Sequence, residues 1–375
     1  MITIIHVSIF AFIILVMLII LKINGYGYEG FENENENKPT TSIVSNEIPK
    51  LKRPFVNLYD QQGRKLNIFF ISKPFSGDEQ NKIYLNNKDG NIYLGISSYL
   101  EFPNEVSNPF EDFTKNYEKY RYKEITKGWI HCFKNPKDYF AQEMPLLFAS
   151  ESDWTDCNFI KPNPEIKEKK YDFIYICLKV NEKLDKCDDW ATFNKNWELA
   201  QKCLDVMCNK YKLKGLLIGR KGCKLPEGCH DLMETTNMVK YGELRKLYQQ
   251  SRFIFLPNEK DASPRVLTEA LCMNVPTLIN KNILGGWKYI NEKTGQFFTD
   301  ENDVGQNIEI IMNKIKNNEY EPRKYFVENY GPIKSGKKLK QFLYSNWGKD
   351  INLPEHEVEY ITPEFPKKDF KQCVV

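Results

Sequence analysis

The sequence predicts an α/β fold of two parallel-sheet domains, and three observations lead there. With 375 residues the chain is long enough for two domains of ordinary size. From residue 129 onward, short apolar runs alternate with stretches of helical periodicity, the pattern of a parallel sheet. Within that pattern residues 251–280, SRFIFLPNEKDASPRVLTEALCMNVPTLIN, read as strand, polar loop, helix and strand. That is half of a doubly wound unit, and such sheets bind ligands at the loops past their strand ends.

Residues 2–21 are apolar apart from Thr3, His6 and Ser8. About 20 such residues span a bilayer core of roughly 30 Å, so residues 1–22 are expected to form a single transmembrane anchor. The basic start and small-residue cleavage site of a removable signal are not evident. Lys22 and Lys38 lie on the carboxyl side, which tilts the lysine rule toward a cytoplasmic catalytic part. The absence of any N-x-S/T sequon points the same way. Residues 23–55 are polar and acidic, the composition of a flexible stalk.

A first domain is expected over residues 56–165. Its strands are 66–71 (LNIFFI), 92–96, 129–133 (WIHCF) and 145–149 (PLLFA), with a short helix at 136–144 and irregular loop near 101–113. At roughly 100 residues it is smaller than a full nucleotide-binding half. Residues 161–170, KPNPEIKEKK, combine charge with two prolines and read as the interdomain linker. The second domain, 166–348, starts with a strand at 171–179. A helix at 190–211 places Trp197, Ala200, Leu204 and Met207 on one face. A strand at 213–219, a short apolar run at Met238-Val239 and a helix at 242–249 lead into residues 251–280. Helices at 303–315 and 330–347 follow, and the tail, 349–375, carries prolines without periodicity.

Composition removes several function classes. A net charge of +3 argues against a phosphate-driven nucleic-acid binder. The ten cysteines form no C-x-x-C pair, so no zinc or redox motif is indicated, while their even number permits disulfides. No D-x-D motif is present to hold a catalytic metal, since Asp188 and Asp189 are adjacent.

The chemistry concentrates in residues 251–280. Ser263-Pro264 reads as a hydroxyl N-cap followed by proline at the first helical position, where a missing N–H costs nothing. Asp261 lies in the loop and Glu269 two turns into the helix. A helix N-terminus beside two acids suits a sugar diphosphate, with amides for phosphate and carboxylates for hydroxyls. Arg265, beside those amides, is a further cation.

The run DASPRVLTEALCMNVP resembles the donor-binding signature of retaining glycosyltransferases of the GT-B fold, especially family four. That pattern is an acid, seven residues, glutamate-alanine, then a small residue and proline before a strand. Asp261 replaces the usual first glutamate and Asn274 the usual glycine. The resemblance implies two Rossmann-type domains, the amino-terminal one reduced and acceptor-side, the carboxyl-terminal one binding the donor. It implies that Glu269 holds the ribose hydroxyls, Asp261 those of the sugar and Lys195 the diphosphate. An arginine expected near Lys195 has no clean counterpart, Trp190 falling at its spacing; Lys179, Lys186 and Arg220 are the possible substitutes. Gly285 and Gly286 match a family glycine pair close to the donor, Pro264 the helix start, and Tyr289 a position often held by glutamate. His131 and the loop 150–153 match acceptor-side features, and the last helix is expected to cross back to the first domain.

The implied activity is transfer of a sugar from a nucleotide-diphosphate sugar to a glycan, lipid or protein acceptor, retaining and metal-independent, with no cofactor. Two other readings fit the departures: a degenerate relative that binds a nucleotide sugar or glycan without transfer, and a membrane-tethered α/β scaffold without a ligand site.

Overall fold

The computed structural model describes residues 51–104, 119–179, 187–363 and 370–374. The expected anchor and most of the stalk lie outside them, as does Lys186. Among the described residues no helix is long and apolar enough to cross a membrane.

The strands are β1 (Phe55–Asp60), β2 (Lys65–Ile71), β3 (Ile92–Ile96), β4 (Trp129–His131), β5 (Leu146–Phe148), β6 (Tyr171–Ile176), β7 (Gly215–Ile218), β8 (Met233–Thr236), β9 (Ser251–Leu256), β10 (Thr277–Asn280), β11 (Gly295–Phe298) and β12 (Ile361–Thr362). The helices are α1 (Asp78–Asn87), α2 (Tyr122–Ile125), α3 (Trp190–Asn194), α4 (Trp197–Asn209), α5 (Tyr241–Gln249), α6 (Arg265–Cys272), α7 (Val304–Lys316), α8 (Pro322–Asn329) and α9 (Pro332–Trp347).

The second sheet runs β8-β7-β6-β9-β10-β11, every pairing parallel. Numbered from its own first strand this is the order 3-2-1-4-5-6 of a doubly wound dinucleotide-type domain, with its switch point between β6 and β9. Alternation sorts the strand residues to two faces. Phe173, Tyr175, Phe253 and Phe255 pack with Leu204 and Met207 of α4 and Ile308 and Ile311 of α7. Ile174, Ile176, Ile254 and Leu256 pack with Leu244, Leu247, Leu267 and Leu271 of α5 and α6.

The first sheet runs β12-β1-β2-β3-β4-β5, with β2 to β5 parallel and β1 antiparallel to both its neighbours. Its parallel strands add in one direction only, so its parallel part is half of a doubly wound sheet. The other edge is closed by β1 and by β12 from the tail. Leu339 and Leu343 of α9 pack against Leu58, Ile68 and Ile130, which places the last helix on the first domain.

Several local expectations change. The tail is not featureless: Ile351, Val358 and Ile361 join the first core, and β12 extends the first sheet. The helix expected at 136–144 is a single turn at Pro136–Asp138, because Tyr139 stacks on Phe133 at 3.7 Å and Phe140 is buried. The short apolar run at Met238-Val239 is not a strand; the edge strand β8 lies before it, and its polar sequence METT hid it. The helix expected over 190–211 divides into α3 and α4 at Asn196, which takes φ +52°. Gly331, at φ +100°, likewise separates α9 from α8, a helix absent from the sequence reading.

Candidate functional site

The carboxyl ends of the two sheets face each other. Loops after β3 and β4 meet loops after β9 and β10 through Lys260 Nζ to Glu101 Oε1 (3.1 Å), Trp287 Nε1 to the Cys132 carbonyl (3.0 Å) and Lys134 Nζ to the Lys281 carbonyl (2.8 Å). This is the crevice in which open α/β sheets bind ligands.

On the second-domain side, Lys195 Nζ donates to Asp261 Oδ2 at 2.6 Å, with side chains 13% and 11% exposed. The break between α3 and α4 makes this possible. Asn196, one of the few residue types that tolerates a left-handed φ, ends α3 and leaves Lys195 at the turn, where Tyr175 of β6 donates to its carbonyl at 3.0 Å. The facing loop is pinned as well: Asn194 Nδ2 donates to the Lys260 carbonyl (3.2 Å) and Asn280 Nδ2 to the Pro257 carbonyl (3.2 Å). Asn258 Nδ2 donates to the same Asp261 Oδ2 at 2.8 Å. Two donors therefore converge on Oδ2, and among the described residues none bonds Oδ1.

Helix α6 begins at Arg265, one residue later than the sequence implied. Pro264 is its N-cap residue and Ser263 is not; the Ser263 hydroxyl turns across the crevice to Ser152, accepting from its N–H (3.1 Å) and pairing with its Oγ (2.8 Å). Thr268 on the next turn meets Thr155 Oγ1 at 2.7 Å. Arg265 is about half exposed and lies 3.8 Å from Glu151.

Gly285 and Gly286 serve the loop. A Cβ on Gly285 would lie 1.8 Å from the Ala262 carbonyl oxygen, and its N–H donates to the Asp261 carbonyl at 2.9 Å. Gly286 has φ +85°, and a Cβ there would lie 2.5 Å from Pro264. The pair lets one loop press on another, holding Asp261 and Pro264 in place.

Glu269 is turned toward α5, where Tyr248 donates to Oε2 at 2.9 Å and Tyr241 to Oε1 at 3.2 Å. Burial raises its pKa above the usual carboxylate range, against the lowering effect of the two hydroxyls and Arg265. Glu269 and Asp261 thus share α6 and its leading loop without touching. Asn274, where the resembling family has glycine, takes φ +58° just past α6, a position at which asparagine can replace glycine.

His131, at the end of β4, lies 5% exposed among Phe133, Phe140 and Phe148, and its Nδ1 has no partner among the described residues. Burial and then the Lys288 charge lower its pKa to about 4, so the ring is neutral at pH 7. It belongs to the first-domain wall, apart from the Lys195–Asp261 pair. Arg220 is fully buried and donates to Asp189 Oδ1 at 2.9 Å and to the Leu178 carbonyl at 3.0 Å, so its guanidinium is engaged inside the domain. Lys179 Nζ donates to the Lys221 carbonyl at 3.2 Å. Trp190 instead stacks on Tyr99 of the first domain at 6.4 Å. Among the described residues no three His, Cys, Asp or Glu side chains group as a metal site.

A feature the sequence reading missed is a buried interdomain junction. Lys288 Nζ lies 2.7 Å from Asp153 Oδ2, both side chains 6% exposed. Tyr289 donates to Asp153 Oδ1 and meets Ser150 Oγ at 2.9 Å. Loop 150–153 was singled out, but its partners lie more than 130 positions away, beyond the reach of spacing rules.

Three of the solved structures that resemble this one illustrate the likeness. Sucrose-phosphate synthase from Thermosynechococcus elongatus aligns with a TM-score of 0.52 at 12% identity, covering 70% of this chain and 71% of that one. A glycosyltransferase from Rickettsia africae ESF-5 gives 0.51 at 13% identity, with coverages of 74% and 76%. The apo form of the lipopolysaccharide outer core galactosyltransferase WaaB gives 0.51 at 12%, with coverages of 74% and 75%. No protein-family model and no curated protein matches the sequence. The likeness is one of structure, and the chain has the GT-B fold.

Proposed function

We propose, from this GT-B fold and its crevice, that the chain is a glycosyltransferase using a nucleotide-diphosphate sugar. The observation that carries the reading is the Lys195–Asp261 pair, set beside the head of α6 at the switch point of the second sheet. The amides of α6 and the Lys195 ammonium would take the diphosphate. As the bond from the sugar to the diphosphate breaks, charge grows on the leaving oxygen, and these groups stabilise it without a metal. Asp261, with Oδ1 unbonded among the described residues, would accept from a sugar hydroxyl; Glu269 would receive the ribose, its tyrosine partners fixing both oxygens. Retention of anomeric configuration follows by analogy alone.

The test is release of nucleotide from a panel of UDP- and GDP-sugars by the protein with residues 1–22 removed. Lys195→Ala and Asp261→Asn should each lower the rate by about 10²-fold. Rates equal to the unaltered protein would remove the pair from the chemistry. The non-transferring reading has one observation in its favour: Trp190 stands where a second cation is expected, and Arg220 is committed to Asp189. Saturable UDP or GDP binding without nucleotide release would support that reading instead.

Three cysteine pairs, Cys157–Cys373, Cys187–Cys223 and Cys208–Cys229, support placing the globular part in an oxidising compartment, against the cytoplasmic tilt of the lysine rule. Membrane attachment through residues 2–21 remains part of the proposal. Alkylation of denatured protein taken from cells should label the four unpaired cysteines, and all ten only after reduction. Ten labels without reduction would return the domain to a reducing compartment.

A further inference from the structure

We propose that Phe148 and Trp287 form an aromatic platform for a pyranose ring of the acceptor, so that the acceptor is a glycan. The inference rests on the transferase reading and adds the acceptor's class and place. Phe148 ends the edge strand β5 and is 46% exposed, an unusual state for a large apolar side chain. Its ring lies 5.5 Å from Trp287, which comes from the other domain, with 32° between their planes. Trp287 is fixed by its indole N–H on the Cys132 carbonyl at 3.0 Å. The platform therefore exists only where the two domains meet.

Its position ties it to the donor loop. Trp287 follows Gly285 by two residues, and the Gly285 N–H is bonded to the Asp261 carbonyl at 2.9 Å. Two peptide links span at most about 7.6 Å between Cα atoms, so the indole stands beside the loop that would hold the donor sugar. Aromatic faces carry negative charge density that attracts the polarised C–H hydrogens of a sugar face. Lys134 Nζ, 5.8 Å from the Trp287 ring centre, suits the hydroxyl rim of the same sugar, while Lys288 Nζ, 4.9 Å from the Phe148 ring centre, stays buried on Asp153. The buried His131 ring lies 5.5 Å from Phe148 and backs it on the first-domain side. A lipid chain would gain little beside the Lys134 ammonium.

The test uses saturation-transfer NMR with maltose and with N,N′-diacetylchitobiose, and calorimetric titration with UDP and GDP, on the chain lacking residues 1–22. The unaltered protein should bind at least one disaccharide. Phe148→Ala should weaken that binding by about fivefold. Phe148→Tyr should hold it within about twofold, as should Leu85→Ala on the distant helix α1. Undiminished binding by Phe148→Ala, or no saturation of either disaccharide, would overturn the platform. Failure to bind UDP and GDP would instead overturn the transferase reading, while the disaccharide result would still decide the platform.

Discussion

At the scale of single residues, His131 resists the proton that an exposed imidazole would take up in mild acid. His131 has its pKa lowered from 6.5 to about 4 by burial and by Lys288. The unfolded chain therefore binds a proton at this position that the folded protein refuses. The sign follows: the associated stability is present above pH 6.5 and is lost as pH falls through about 4. The shift corresponds to on the order of 3 kcal/mol. Denaturant unfolding of His131→Gln and the unaltered protein across this range should show a shallower pH dependence for the variant; parallel curves would place the titration elsewhere. The type and position of His131 were legible in the sequence, but its lowered pKa was not, since the burial that chiefly causes it and the Lys288 charge from the other domain both arise from tertiary packing. Likewise Lys195 and Asp261 were singled out separately, by residue type and resemblance. Their contact depends on Asn196 adopting a left-handed φ, which helical periodicity does not register.

At the scale of elements, the backbone of the loop between β9 and α6 is held by its neighbours. Asn194 at the end of α3, Asn280 at the end of β10 and Gly285 beyond it each bond to its backbone. Gly285→Ala would drive a methyl group into the Ala262 carbonyl, a contact that only a backbone shift can relieve. Displacement of Asp261 by as little as about 1 Å should lower nucleotide release by roughly 10²-fold; a rate within twofold of the unaltered protein would show that the loop does not position the chemistry. The parallel strands β2, β3, β6, β7, β9 and β10 were legible because they are buried on both faces and read as continuous apolar runs. The edge strands β8 (METT) and β12 (two residues) were not, and the internal β1 (FVNLYD) was hidden by its Asn57 and Asp60. Helix α1, which buries none of its residues, was invisible for a related reason: it carries no apolar stripe to detect.

At the scale of the whole molecule, the tail and α9 return to the first sheet, and a buried junction closes the crevice at Asp153, Lys288 and Tyr289. The residues that build it lie far apart in sequence, so it could not be read from spacing. Lys288→Met would leave Asp153 buried with hydroxyl donors and the Ser150 N–H but no countercharge, and should cost about 3 kcal/mol of stability in denaturant unfolding. Adding Asp153→Asn should recover most of that loss, because the charge and its desolvation are removed together; an equally unstable double variant would deny that the pair is coupled. The junction brings the first-domain wall to the Asp261 loop, so the fold presents one crevice in which donor and acceptor can meet. The most direct test of that account is nucleotide release from UDP- and GDP-sugars by the chain lacking residues 1–22, measured beside Lys195→Ala. The account predicts turnover of at least one donor, falling by about 10²-fold in the variant. Turnover that survives the loss of Lys195 unchanged, or no turnover and no nucleotide binding at all, would contradict it.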